Sequence, residues 1–130
     1  MKTEIRIPFE EVRQELFRIL LSLEIDPSKA KKCARIFTEN TCDGVASHGL
    51  NRFPRFVASI KDGHVDIKAE PEIVNSFGAI EQWDGNRGIG IINAEKSLNR
   101  AVKLAQKYGL GCVGLRNTNH WLRGGTYGLM

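Results

Sequence analysis

The sequence predicts a mixed α/β fold in which a helical N-terminal region, residues 1–65, precedes the start of an α/β domain, residues 66–130. Three observations predict it. Before Gly63 the apolar residues recur at spacings of three and four, the period of an amphipathic helix. After Gly63, short runs rich in β-branched and aromatic residues flank one long helical stretch. That order, strand then helix then strand, marks a βαβ-like unit.

Each element has its own signal. From Phe9 to Glu24, Val12, Leu16, Ile19, Leu20 and Leu23 stack on one helix face, and Pro8 stands just ahead, where its missing N–H does no harm. Asp26-Pro27 announces a second helix, with an aspartate to accept the orphan N–H groups and a proline pre-set for the first helical position. Its inner face is Ala30, Cys33, Ala34 and Phe37, and it ends near Asp43-Gly44. Between Ser47 and Gly63 the proline at 54 leaves two readings, a turn followed by a helix from about Phe53 or one kinked helix. Glu72–Phe77 and Ala79–Asp84, separated by Gly78, read as two strands, with a hairpin as one way to pair them. Gly90 to Tyr108 is helical, with Ile91, Ala94, Leu98, Ala101, Leu104, Ala105 and Tyr108 on one stripe and Gly109 as its stop. Leu110 to Leu115 then reads as a buried strand. The run from Arg123 to Met130 looks like a loop turning into a new element, and its two apolar last residues suggest the N-terminal piece of something longer.

Composition excludes several classes. With 19 Lys and Arg against 15 Asp and Glu, the net charge is +4, and 42% apolar with 26% charged residues is ordinary for a globular protein. Apolar runs such as Ile19-Leu20-Leu21 fall far short of the roughly 20 residues of a membrane span. No apolar stretch follows the N-terminal charges, so a secretory signal is not expected. Three cysteines, Cys33, Cys42 and Cys112, form an odd set without a C-x-x-C pair, which reads as reduced thiols in a cytoplasmic protein. The basic residues are scattered; Lys29, Lys31 and Lys32 fit a solvated helix face as well as a nucleic-acid footprint. Neither a nucleic-acid nor a membrane partner is expected.

Chemistry concentrates in two stretches. In Ser47-His48-Gly49-Leu50-Asn51-Arg52, an imidazole that exchanges protons near neutral pH precedes by four residues an always-charged guanidinium fork suited to a carboxylate. Were the segment one helical turn, His48 and Arg52 would share a face and meet a 2-oxo acid together, with Ser47 capping the turn or orienting the ring. A capped helix start with a hydrogen-bonded histidine accounts for the same residues. The second stretch, Arg116-Asn117-Thr118-Asn119-His120-Trp121, follows a strand, where ligands bind in α/β sheets; a polar loop with a surface histidine is the plain alternative. Gly88-Ile89-Gly90-Ile91-Ile92-Asn93 has the setting of a phosphate-binding G-x-G-x-x-G turn but Asn93 in place of the third glycine, so it reads as a simple turn into a helix. His64 reads as a turn residue. No histidine or cysteine pairing has the spacing of a metal site, Cys33 and Cys42 falling on opposite sides of their helix.

Taken together, Ser47-His48-Gly49 with Arg52, then Phe53-Pro54-Arg55-Phe56, Gly78-Ala79-Ile80-Glu81-Gln82-Trp83-Asp84 and Asn119-His120-Trp121-Leu122-Arg123-Gly124-Gly125 resemble the malate/L-lactate dehydrogenase family. The resemblance runs from about Phe9 to Met130 and covers the N-terminal portion of a family member. It implies a non-Rossmann, NAD(P)-dependent reductase of 2-oxo acids, in which His48 is the proton donor, Arg52 grips the substrate carboxylate beside Ser47, and His120 lies in the active site, acting in some relatives as the acid/base. It implies NADH, with NADPH the alternative, a homodimer, no metal, and cofactor-binding residues mostly beyond residue 130. An isolated chain of this length is expected to carry acid/base and substrate-gripping groups without turning over. The rival readings are an inactive fragment of a truncated dehydrogenase and a basic helical nucleic-acid-binding module.

Overall fold

A computed structural model describes residues 5–130. They form two compact units that divide between Arg55 and Phe56, inside a helix. In the first unit α1 (Phe9–Ser22) packs on α2 (Pro27–Cys42). Leu16 and Leu20 of α1 are buried, as are Ala30, Cys33, Ala34 and Phe37 of α2, and Ile25 fills the turn between the helices. Phe37 meets Phe53 edge to face, ring centroids 5.1 Å apart. The Asp26 carboxylate accepts from Ser28 N at 3.0 Å and Lys29 N at 3.1 Å, with Pro27 at the first helical position, as its sequence predicts.

Two details differ from expectation. Helix α1 stops at Ser22 rather than Glu24, because Leu23 N turns back to Leu20 O and Glu24 adopts a left-handed conformation (φ 61°). On its inner face only Leu16 and Leu20 are fully buried; Val12, Ile19 and Leu23 remain half-buried. Between Ser47 and Gly63 the chain takes the first of the two readings: 3-10 turns at Ala46–His48 and Leu50–Arg52 lead into α3 (Phe53–Lys61), with Pro54 in its first turn.

The second unit is a three-stranded sheet in the order β1 (Glu72–Phe77), β2 (Ile80–Asp84), β3 (Cys112–Arg116). β1 and β2 form the expected antiparallel hairpin, with a bulge between Ile73 and Asn75. β2 and β3 are parallel, joined through α4 (Gly90–Tyr108), which Gly109 ends; this is the predicted βαβ unit. Glu81 and Trp83 are buried, and across the parallel register they stand beside Val113 and Leu115. β3 departs from the expected buried strand: it starts at Cys112, Leu110 is exposed, and its residues alternate between half-buried and exposed. Among the described residues it ends the sheet, and α4 packs on the strand, whose more covered face carries Val113 and Leu115. A five-residue helix, α5 (Gly124–Gly128), follows.

Beneath the sheet lies a charged cluster. Arg100 of α4 donates to both Glu81 oxygens (Nε at 3.0 Å to each, Nη2 at 2.5 Å to one), and Trp83 Nε1 donates to the carboxylate at 2.9 Å. These donors, Arg100 foremost, hold the Glu81 carboxyl below the usual glutamate range although burial pushes the other way. Among the described residues no helix is long and apolar enough to cross a membrane.

Candidate functional site

The first cluster sits on the two 3-10 turns that follow α2. His48 is half-buried, and Ser47 Oγ lies 3.0 Å from its Nδ1. Ser47 therefore orients the ring rather than capping a helix. A hydroxyl both donates and accepts, so this contact persists whether Nδ1 carries a proton or not. Arg52 is also half-buried, and among the described residues no hydrogen bond or ion pair engages its guanidinium. That sets it apart from Arg13, Arg18, Arg35, Arg100 and Arg116, each paired with a carboxylate.

The segment is not one helical turn. Gly49 (φ −111°, ψ −132°) stands between the two 3-10 turns, so helical periodicity does not set the relation of His48 to Arg52, and the shared-face argument fails in that form. What fixes the turns is α2. Asn40 Nδ2 donates to the His48 carbonyl at 3.0 Å, and Thr41 Oγ1 accepts from Leu50 N at 2.9 Å while donating to Phe37 O at 2.8 Å. Gly49 is buried directly against Thr41: a Cβ there would lie 2.8 Å from Thr41 N and 3.0 Å from its Cα, and would overlap its hydroxyl. Asn40 and Thr41 were not singled out from sequence. Their signal was available, since they lie three and four residues beyond Phe37 and so continue the buried face with polar atoms.

The second cluster begins where β3 ends. Arg116 Nε and Asn117 Nδ2 donate to Asp84 at 3.1 and 2.9 Å, and Asn86 N donates at 2.8 Å. These bonds, that of the Asn86 amide first and that of Asn117 next, hold the Asp84 carboxyl below its ordinary value. Asn119 Nδ2 donates to Arg87 O at 2.8 Å and Gly88 O at 3.1 Å, with a longer contact to the backbone carbonyl of His64. His120 is exposed, and its Nδ1 accepts from Leu122 N at 2.8 Å. A neutral ring that accepts at Nδ1 carries its proton on Nε2. Thr118 through Trp121 line a recess of about 490 Å³. A neighbouring cavity of about 310 Å³ has Ser97, Trp121 and Tyr127 in its wall.

The Gly88–Gly90 turn does not fit a dinucleotide. Both glycines are buried, and the Asn119 and His120 carbonyls occupy the space against Gly90. Asn93, at the position of the motif's third glycine, donates instead to Gly85 O at 3.0 Å and Thr118 Oγ1 at 2.9 Å. Among the described residues no group of three His, Cys, Asp or Glu side chains is gathered to hold a metal ion.

Comparison with known proteins gives consistent results. The model of the malate/L-lactate dehydrogenase family matches residues 7–130. The chain is 48% identical over 123 residues to a 2,3-diketo-L-gulonate reductase of Salmonella newport (strain SL254), covering 95% of this chain and 37% of that protein. It is 46% identical, over the same shares, to the protein of that name from Escherichia coli O139:H28. Among solved structures it resembles a malate dehydrogenase of Pyrococcus horikoshii OT3 (TM-score 0.93, 31% identity, 97% of this chain and 36% of that one). It likewise resembles the sulfolactate dehydrogenase of Methanocaldococcus jannaschii (TM-score 0.89, 29% identity, 95% and 36%). The chain thus spans 37% of the length of these curated relatives.

Proposed function

Since the chain belongs to the malate/L-lactate dehydrogenase family, we propose that it forms the proton-donating and substrate-gripping part of a reductase that converts the keto group of a 2-oxo acid, such as 2,3-diketo-L-gulonate, into a hydroxyl. The observation that carries this reading is the pair of half-buried groups at Ser47–Arg52: an imidazole held by a hydroxyl, and a guanidinium with no carboxylate of its own among the described residues. A partly buried cation without a counter-ion is an unfinished interaction, and a bidentate carboxylate completes it.

His48 is the acid in this reading and His120 is not. When His48 is doubly protonated, Ser47 Oγ accepts from Nδ1–H and leaves Nε2–H to be given to the carbonyl oxygen as it gains charge. The His120 Nδ1 is engaged as an acceptor by the Leu122 amide, which favours the proton on Nε2. In this reading His120 is a neutral active-site donor through Nε2–H. The reductant is a reduced nicotinamide dinucleotide, NADH with NADPH the alternative, and no residue described here is assigned to it. The same family reading carries a homodimer in the cytoplasm. The exposed apolar side chains Phe77, Ile80 and Leu110 are the kind of surface that assembly covers.

The test is substrate-dependent loss of NADH absorbance with 2,3-diketo-L-gulonate, measured on the whole polypeptide that carries these residues. Oxidation of NADH only when the keto acid is present supports the reading. No oxidation with either nicotinamide, across several 2-oxo acids, contradicts it.

A further inference from the structure

Asn93 is a residue that the reaction as described does not use. It sits in the first turn of α4 with 1% of its surface exposed. Nδ2 donates twice, to Gly85 O and Thr118 Oγ1, while Oδ1, like Ser97 Oγ one turn later, is buried with no partner among the described residues. Burying an amide costs hydration that its hydrogen bonds must offset, so the bonds it makes matter to the fold. What Nδ2 holds is more telling. Gly85 directly follows β2, and Thr118 lies two residues before His120, so one amide ties the strand's exit and the loop to the first turn of α4.

Three further contacts act on the same loop. Asn119 Nδ2 caps the carbonyls of Arg87 and Gly88. Arg87 N donates to Asn117 O at 2.8 Å. The α-carbon of Gly90 lies so close to the Asn119 and His120 carbonyls that a methyl group there would overlap both. Held on these sides, the backbone returns at Leu122, itself 5% exposed, with its N–H on His120 Nδ1.

We propose that Asn93, acting through Thr118 with Gly90 beneath the loop, is a positioning residue that keeps Leu122 N–H on His120 Nδ1 and so presents His120 as its Nε2–H tautomer. The inference rests on the reading of His120 as an active-site donor, although the tautomer itself can be observed without turnover. A loosened loop parts Nδ1 from the amide and removes the preference for the Nε2–H tautomer that this bond sets.

The experiment is NMR of the chain with its histidines labelled with nitrogen-15, comparing wild type with Asn93→Ala, Thr118→Val and Thr118→Ser. Thr118→Val guards against misfolding of the Asn93 variant, because it deletes only the oxygen facing Asn93 and keeps the side chain's shape. In wild type, His120 Nε2 carries the proton and Nδ1 does not. In Asn93→Ala and Thr118→Val the Nδ1–H form rises severalfold, His48 and His64 keep their signals, and Thr118→Ser retains the wild-type tautomer. In the active polypeptide the same two substitutions lower kcat about tenfold and leave KM within about twofold. An unchanged His120 tautomer in a folded Asn93→Ala or Thr118→Val protein overturns the proposal, as does a shift that Thr118→Ser fails to reverse. Absence of turnover in wild type would instead count against the proposed function and leave the tautomer result standing.

Discussion

The turn that carries His48 and Arg52 is held by contact between a glycine and the last turn of α2, and Gly49→Ala tests that hold. The added Cβ would lie 2.8 Å from Thr41 N and 3.0 Å from Thr41 Cα. Both atoms are helix backbone, so the 3-10 turns must withdraw by several tenths of an ångström to reach ordinary contact. That movement stretches the Leu50 N to Thr41 Oγ1 bond, now 2.9 Å, and pulls the His48 carbonyl away from Asn40. Overpacking costs about 1–3 kcal/mol, and a lost hydrogen bond adds about 1 kcal/mol. The expected destabilisation is therefore about 2–4 kcal/mol, read as a lower urea midpoint at unchanged m-value. Gly124→Ala is the control: it adds a methyl group to a helical glycine with nothing within 4 Å, and the midpoint should hold or rise slightly. A loss below about 0.5 kcal/mol for Gly49→Ala, the range of surface substitutions, would refute the claim that this contact fixes the turn.

Two further outcomes follow from the same interactions. Asp26→Ala removes the acceptor of two orphan N–H groups at the start of α2 and should cost about 1 kcal/mol in urea unfolding. Arg100→Met removes the main cause of the depressed Glu81 pKa. In wild type a carboxyl depressed by folding contributes stability above the usual glutamate range and loses it as pH falls through the folded value. In the variant, burial, which favours the protonated form, is opposed only in part by the remaining Trp83 bond. The stability gap between the two proteins should thus be widest at neutral pH and close as pH falls below the glutamate range, checked by urea midpoints across pH.

Local signals made much of the fold legible. Asp26-Pro27 announced α2 because capping is a matter of adjacent residues, and the stripe from Ile91 to Tyr108 with Gly109 behind it placed α4 to the residue. The hairpin was readable from two short β-branched runs around Gly78. What escaped was non-local. Whether Ser47–Arg52 is one turn or two depends on Thr41 and Asn40, which reach it from the preceding helix. β3 has the composition of a buried strand, but composition cannot tell an edge from a centre, and here one side has no neighbour among the described residues. Both histidines were singled out, yet the groups that distinguish them, a hydroxyl at His48 and a backbone amide at His120, come from the folded turns. Asn93 was noticed only as a missing glycine, and its hydrogen bonds show it to be a tie between α4 and the β3 loop.

Steady-state kinetics of His48→Gln and Arg52→Lys in the active polypeptide bear most directly on the central claim, that one group gives the proton and the other grips the carboxylate. His48→Gln should lower kcat by about 10²–10⁴-fold with little change in KM. Arg52→Lys should chiefly raise KM, since a lysine replaces a two-point grip with a single charge. Wild-type kcat in the first variant together with wild-type KM in the second would contradict it.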